Sequence, residues 1–173
     1  MNITREQLKG VYGEEDALAI YGEVKNGKDF VGFAQRYMND SDCLVARNAL
    51  WIMTKATDEE LAHLQPLSNS LIDLAMATDY SSVRRLSLNV AYRLRLDVDD
   101  LRADFFDFCI AHMVDPNEYP GIQTLCMKHA YRISAFYPDL MGELLLTVET
   151  MNIDFYKPAV KALRNKILAG KKI

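Results

Sequence analysis

Two Cys-x-x-His runs contain the residue types that metal chemistry would need. They are Cys109-x-x-His112 and Cys126-x-x-His129, and two thiolates with two imidazoles form a common tetrahedral zinc set. The helices predicted to carry them are antiparallel about a turn near residue 117. At 1.5 Å per residue the two imidazoles would lie roughly 10 Å apart along the helix axes, too far for one ion with ligands at about 2 Å. We therefore predict no metal site, but core cysteines with partly exposed histidines.

A cluster of four aspartates, Asp97, Asp99, Asp100 and Asp104, offers a second set of possible cation ligands. The same residues open a predicted helix, where carboxylates are favoured by the positive end of the helix dipole. We interpret the cluster as a helix start, and we predict no metal ligand among its residues.

Patterns typical of catalysis do not occur in this sequence. It has no glycine-rich phosphate loop, no nucleophile elbow and no His-Glu-x-x-His run. We therefore predict no catalytic residue and no cofactor, and we expect that the protein is not an enzyme.

Basic and aromatic residues are concentrated in four segments, 43–57, 80–95, 119–137 and 155–173. These segments contain 14 of the 20 Lys and Arg residues and none of the 24 Asp and Glu residues. The net charge of −4 therefore conceals a separation in which purely basic segments alternate with acidic ones.

The basic segments are related to one another by an internal repeat. Ala91-Tyr92-Arg93 recurs 39 residues later as Ala130-Tyr131-Arg132. An earlier copy, shifted by 38 residues, places Val45, Ile52 and Lys55 at the positions of Val83, Val90 and Arg93. Related helices at one period indicate a repeat array.

The chain is predicted to form helix pairs, each with an acid-bearing helix followed by a basic one. Two amino-terminal capping helices are expected in 1–27, and a single domain is expected to span 1–173. The predicted pairs occupy residues 29–56, 58–96, 99–136 and 138–169. No segment has the alternation of a strand between turns, so we predict an all-α fold.

Several local signals set the predicted helix boundaries. The capping-box pattern from Thr4 to Gln7 predicts a first helix of about two turns, and Thr57 begins a similar signal. Pro66 should bend or split the helix that contains it. Asp154 is predicted to cap a helix in which Pro158 occupies the first turn.

Antiparallel helix pairs at a period near 38 resemble HEAT or armadillo-type repeats. The resemblance is carried by Asp42-x-x-Val45-x-Arg47-x-x-Leu50, which is echoed loosely by Ser82-Val83-x-Arg85-x-x-Leu88. It implies a right-handed α-α superhelix of about four pairs, whose basic inner helices line a concave face. The helical-repeat DNA alkylation-repair family is also similar, although its catalytic carboxylate has no counterpart in the basic segments.

A helical wheel separates a core face from a polar face on these basic helices. The side chains predicted to be buried are Val83, Leu86, Val90, Ile122, Leu125 and Ile133, whereas Arg85 and Tyr92 should keep substantial exposure. The residues predicted to contact a partner are Arg47, Trp51, Arg85, Asn89, Tyr92, Lys128, Tyr131 and Arg132.

A packing interpretation of the same residues stays open. Trp51, Tyr92 and Tyr131 could be half-buried between neighbouring helices, and the arginines could pair with carboxylates of the next repeat. For the flanking cations Lys55, Arg93, Arg132 and Lys166, we favour a structural role as bridges between repeats.

These observations favour a non-enzymatic scaffold that binds an acidic protein or peptide on a basic, aromatic face. The alternative is a nucleic-acid-binding protein. If the protein were an enzyme after all, a DNA glycosylase-like activity would be the least unlikely one. The amino-terminal residues lack the apolar run of a signal peptide, and the three cysteines lack framework spacing. We therefore expect a cytoplasmic protein that is not inserted in a membrane. The sequence does not indicate the oligomeric state.

Overall fold

The computed structural model describes residues 3–96, 99 and 101–173, and within these residues the chain forms helices and turns without a strand. The all-α class predicted from the sequence is confirmed. The helices are α1 (Arg5–Lys9), α2 (Glu14–Asn26), α3 (Phe30–Tyr37), α4 (Cys43–Met53), α5 (Asp58–Leu64), α6 (Ser68–Ala77), α7 (Ser81–Arg93), α8 (Ala103–Val114), α9 (Pro120–Ser134), α10 (Pro138–Thr150) and α11 (Pro158–Leu168). Two short 3-10 helices cover Gln65–Leu67 and Ile153–Phe155.

Side-chain caps start the helices that the sequence patterns marked. The Thr4 hydroxyl accepts a hydrogen bond from the Gln7 backbone N–H at 3.2 Å, and the Gln7 side chain accepts one from the Thr4 N–H at 2.9 Å. Thr57 and Glu60 form the same reciprocal box at the start of α5. Both predicted signals are confirmed, although α1 has five residues and is shorter than two turns.

Pro66 splits the first predicted helix of the pair 58–96 into α5 and α6. The 3-10 helix Gln65–Leu67 separates the two parts. Proline has no N–H to donate to the preceding turn, and its ring clashes with the carbonyl four residues earlier. The predicted break is therefore confirmed.

The first helix of the third pair begins later than predicted. It starts at Ala103 rather than near residue 99, so Leu101 lies before the helix, while Asp97 and Asp100 lie outside the described residues. Asp104 is the acid in its first turn and forms an ion pair with Arg102 at 2.6 Å. This hydrogen-bonded guanidinium holds the pKa of Asp104 below its ordinary value. The structural interpretation of the acid cluster is confirmed for Asp104.

The predicted Asp154 cap of the last helix is wrong. Asp154 belongs to the short 3-10 helix, where its N–H donates to the Asn152 side chain at 3.2 Å. Lys157 is the residue that precedes α11, and Pro158 occupies the first helical position as predicted. Proline at this position preorganises the helix start without a side-chain cap.

The described chain divides into two compact units, Met1–Leu94 and Arg95–Ile173. In the amino-terminal unit α4 packs against α1, α2, α3 and α7, while α6 packs against α7. The predicted core residues Val83, Leu86 and Val90 are buried there. Burial of each such side chain contributes roughly 1.5–3 kcal/mol, so the apolar stripe of α7 holds it against its neighbours.

In the carboxy-terminal unit α9 packs against α8, α10 and α11. The predicted core residues Ile122, Leu125 and Ile133 are buried, which confirms the orientation of α9. Gly170 ends α11 with a φ of +63°, a left-handed conformation that glycine adopts without steric cost. The prediction of one domain over 1–173 stays a prediction.

None of the helices in the described ranges is both long and apolar enough to cross a bilayer.

Candidate functional site

Five of the residues predicted to contact a partner lie on two packed helices of the amino-terminal unit. Arg47 and Trp51 belong to α4, and Arg85, Asn89 and Tyr92 belong to α7. Since α4 packs directly against α7, the two helices can present these side chains to one ligand. Arg85 is exposed, as predicted, and the other four residues are half-buried.

Trp51 is flanked by two cations. The guanidinium carbon of Arg47 lies 5.5 Å from the centroid of the Trp51 ring, and the ammonium nitrogen of Lys55 lies 6.0 Å from it. Each such cation–π contact contributes about 0.5–1 kcal/mol at a partly exposed site. Lys55 is also held by an ion pair with Glu14 of α2. The indole is therefore fixed in a positively charged setting.

The other three candidate residues, Lys128, Tyr131 and Arg132, lie on α9 of the carboxy-terminal unit. All three are half-buried. The Arg132 guanidinium approaches the His129 ring nitrogen Nδ1 at 3.5 Å within the same helix. Arg132 is thus engaged with its own helix, as is expected of a side chain with a packing role.

The aromatic candidates are less exposed than a purely ligand-binding role requires. Trp51, Tyr92 and Tyr131 are all half-buried. This confirms the half-burial of the packing interpretation, and Tyr92 keeps less exposure than the polar-face prediction gave it. A half-buried ring still presents one edge or part of one face, and its fixed orientation lowers the entropy cost of contact.

Several side chains of the basic segments cap the ends of other helices, a role that the sequence analysis missed. Arg84 of α7 donates to the carbonyls of Ala75 at 3.0 Å and Thr78 at 2.5 Å, in the last turn and at the cap of α6. Arg164 of α11 donates to Val148 at 2.6 Å and Glu149 at 3.0 Å, at the end of α10. These carbonyls have no partner within their own helix. The cations also complement the negative end of the helix dipole.

Gln123 of α9 performs the same task for α8. Its amide donates to the carbonyl of Asp115 at 2.7 Å. Gln123 follows Arg84 by 39 residues, which is the repeat period. The shared position was therefore the sequence signal that could have revealed this capping contact.

The flanking cations of the amino-terminal unit bridge repeats, as predicted. Arg93 donates from its two terminal nitrogens to the carbonyls of Thr54 and Ala56, each at 2.7 Å, so it joins α7 to the end of α4. Lys55 joins the end of α4 to α2 through Glu14. Cations in these contacts serve the fold, and the number of basic residues therefore overstates the charge that is available to a ligand.

Cys109 and Cys126 face each other in the core between α8 and α9. Both thiols are fully buried. Burial raises the pKa of Cys109, and a hydrogen bond with Cys126 adds to this effect. The predicted core position of both cysteines is confirmed, and the raised pKa keeps Cys109 a neutral thiol of low reactivity.

The two histidines of these runs have different partners. His112 is half-buried, and its Nδ1 lies 2.7 Å from the Glu118 carboxylate. His129 is buried, with its ring centroid 5.0 Å from that of Phe105 in an edge-to-face contact. The prediction of a partly exposed His129 is wrong, because the Phe105 ring of α8 covers it. Within the described ranges, no group of three His, Cys, Asp or Glu residues could hold a metal ion.

The family model described as HEAT repeat domain matches residues 4–171. No curated protein and no solved structure matches the chain.

Proposed function

The chain belongs to the HEAT repeat domain family, and from this premise we propose that it is a non-catalytic scaffold for an acidic protein or peptide segment. Repeats of this family are commonly interaction scaffolds, and stacked helix pairs offer extended binding surfaces. The proposed contact residues are Arg47, Trp51, Arg85, Asn89, Tyr92, Lys128, Tyr131 and Arg132.

The observation that carries this proposal is the cation-flanked indole of Trp51 on α4, together with the exposed Arg85 on the packed helix α7. Arg47 and Lys55 lie over the Trp51 ring, and α7 brings Arg85 from the packed neighbouring helix. Tryptophan and arginine are enriched where binding energy is concentrated, because they combine contact area with directional polar groups. The four basic segments contain no Asp or Glu, and the Glu14 carboxylate of α2 is paired with Lys55.

An acidic ligand suits this surface despite the negative net charge of −4. At physiological ionic strength the Debye length is about 8 Å, so a bound segment responds to the nearest charges and is screened from distant ones. A local cluster of cations therefore attracts carboxylates even on an acidic protein.

The sole tryptophan of the chain provides a direct test, because Trp51 reports on its own surroundings. A glutamate-rich peptide with two phenylalanines should change Trp51 fluorescence, and Arg47→Ser with Arg85→Ser should weaken this binding at least about tenfold. Arg36→Ser is the matched control, since Arg36 is an exposed cation of α3 that pairs with Asp29. Equal losses in both variants would contradict a specific site.

Nucleic acid is the second candidate ligand, favoured by 14 basic residues in segments without an acid. Phosphate binding by these cations would depend steeply on salt, because bound counterions are released. Titration with duplex and single-stranded DNA at low ionic strength tests this alternative. Absence of binding would remove it, and binding that exceeds that of the acidic peptide would replace the first proposal.

Catalysis forms no part of the proposal. A glycosylase-like reaction would need a carboxylate on the basic face, and the basic segments contain none. Incubation with alkylated DNA should release no modified base. Base release that is lost on substitution of Trp51 would contradict the proposal.

A further inference from the structure

Several exposed apolar side chains lie in the carboxyl-terminal half of α10 and in the segment that follows it. Leu146 of α10 is 63% exposed, and Phe155 of the following 3-10 helix is 68% exposed. Ile153 and Leu145 are also exposed. Single exposed apolar side chains are ordinary on a protein surface, but four of them within residues 145–155 make this segment a candidate interaction surface.

Leu146 forms one wall of a groove with a volume of about 480 Å³. Val114, Met151 and Tyr156 are among its other walls. The Tyr156 hydroxyl donates to the Val114 carbonyl at 2.6 Å and ties the loop after α10 to the end of α8. The groove is therefore held open by the fold of the carboxy-terminal unit.

Gly142 lies one helical turn before Leu146, on the same face of α10. A Cβ atom at this position would meet nothing within 4 Å, so packing within the protein does not require glycine there. Glycine inside a helix is unfavourable relative to alanine. Because Gly142 has no side chain, the backbone of a partner helix could approach α10 closely at this position.

The segment that carries the exposed apolar side chains is mainly acidic. Residues 138–157 contain four acids, Asp139, Glu143, Glu149 and Asp154, against the single cation Lys157. Glu143 and Glu149 are exposed and lie three residues before and after Leu146. The Arg164 guanidinium is already bound to the carbonyls of Val148 and Glu149. An apolar ligand with positive flanks therefore complements this surface.

We propose that this surface binds a basic amphipathic helix of a partner protein. One large apolar side chain of that helix enters the groove beside Leu146, its backbone crosses α10 at Gly142, and its Lys or Arg residues contact Glu143 and Glu149. Helix-in-groove binding of this kind uses apolar anchors at helical spacing. The inference does not rest on the acidic-ligand site, which lies on other residues and has the opposite charge preference.

A second copy of the chain is a poorer occupant. The chain's own basic amphipathic helix is α11, with Lys161, Arg164 and Lys166. Its apolar residues Val160 and Leu163 are buried in the carboxy-terminal unit. It could not offer them to another molecule without unfolding that unit.

The probe is a fluorescent synthetic helix of about 18 residues, with Leu and Ala on one face and Lys on the other. The full-length protein should bind it, and Leu146→Ser should weaken binding at least about tenfold. Glu143→Lys with Glu149→Lys should weaken it more than Glu6→Lys with Glu15→Lys, which changes two exposed acids of the amino-terminal unit. Equal losses in the two charge-reversal variants would overturn the proposal.

Gly142→Ala provides the sharpest test, because stability and binding should change in opposite directions. The substitution should raise the melting temperature and weaken binding of the probe. Gly22→Ala in α2, where a Cβ also meets nothing within 4 Å, should raise stability without affecting the probe. Unchanged binding by Gly142→Ala and Leu146→Ser would show that this surface is not the site.

Three further outcomes would also overturn the proposal. The first is that the synthetic helix does not bind at about 100 μM protein. The second is that the protein self-associates in sedimentation velocity and Leu146→Ser abolishes this self-association. The third is that the protein binds phosphatidylcholine vesicles and Leu146→Ser abolishes this binding. Arg47→Ser with Arg85→Ser should leave binding of the probe unchanged, which keeps this result separate from that for the acidic-ligand site.

Discussion

Arg85 and Arg93 show how two cations of one helix differ in what they do. Both belong to α7, and both are exposed. Arg93 nevertheless donates to two carbonyls beyond the end of α4, whereas the Arg85 side chain is one that we assign to ligand binding. The side-chain type alone does not distinguish these roles, because a guanidinium suits both a helix end and a carboxylate ligand.

Replacement of Arg93 by Met should therefore destabilise the protein, while replacement of Arg85 by Met should not. Loss of the two hydrogen bonds from Arg93 should lower the free energy of unfolding by about 1–2 kcal/mol. The change for Arg85→Met should stay within about 0.5 kcal/mol, as for most surface substitutions. Urea denaturation of both variants measures these values. A larger loss for Arg85→Met would contradict the two assignments.

The three cysteines should differ in their reactivity with a thiol reagent. Cys43 is half-buried at the start of α4, whereas Cys109 and Cys126 are fully buried. Because a thiolate is the reactive form, the raised pKa of the buried Cys109 lowers its reactivity further. The native protein should label quickly at Cys43, and the other two should label only when urea is added.

Cys43→Ser is the control for this experiment, since it should remove the fast phase. Peptide mapping by mass spectrometry identifies the labelled residue. Fast labelling of Cys126 in the folded Cys43→Ser variant would show that the α8–α9 core opens readily.

At the scale of the element, the start of α5 links a local cap to tertiary packing. The Glu60 carboxylate accepts hydrogen bonds from the Thr57 N–H at 2.7 Å and the Thr57 hydroxyl at 3.0 Å. It also accepts one from the Tyr21 hydroxyl of α2 at 2.8 Å. A capping box encoded within four residues thus also connects α5 to α2.

These contacts predict a loss of stability in acid. Burial opposes ionisation of Glu60, but the hydrogen bonds from Thr57 and Tyr21 outweigh it and lower its pKa below the ordinary value of 4.5. A carboxyl group whose pKa is lower in the folded than in the unfolded protein stabilises the fold above the unfolded value. That stabilisation is lost as the pH falls below about 4.5 through the folded pKa.

Glu60→Gln should therefore show a smaller decrease in the free energy of unfolding between about pH 5 and pH 3 than the wild type. Glu59→Gln, which changes the exposed neighbouring acid, should retain the wild-type pH dependence. Urea denaturation across this pH range measures the difference. Parallel curves for all three proteins would contradict the role assigned to Glu60.

At the scale of the whole molecule, the separation of charge along the chain is more informative than its total. Both units contain purely basic segments, with Arg85 in one and Lys128 in the other. Each unit is therefore tested by itself, because a cation that contacts an acidic ligand contributes to the affinity and to its salt dependence.

Arg85→Ser and Lys128→Ser, each measured alone, should weaken binding of the acidic peptide and reduce its salt dependence. Arg132 is the less suitable choice, because it is half-buried and close to His129, and its replacement should also affect stability. Fluorescence titrations at several salt concentrations test this expectation. Unchanged binding by Lys128→Ser would remove the residues of α9 from the proposed contact residues.

The sequence alone determined the helices, most of their boundaries and the faces that they bury. Periodicity identified Val90 and Ile122 as core residues, and local chemistry identified the Thr57 cap and the break at Pro66. These features depend on residues that are close to one another along the chain, so their spacing can be recognised from the sequence alone. The later start of α8 and the cap at Lys157 were missed because several nearby residues competed for the same local role.

Only the tertiary structure decided which polar side chains serve the fold and which apolar ones remain exposed. Arg84 and Arg164 reach carbonyls at the ends of other helices, and Phe105 covers His129. A helical wheel gives the direction of a side chain but not the position of a neighbouring helix end. The exposed Leu146 lies on an apolar helix and has the sequence signature of a core residue. Its exposure results from the way in which α10 packs on α8, α9 and α11.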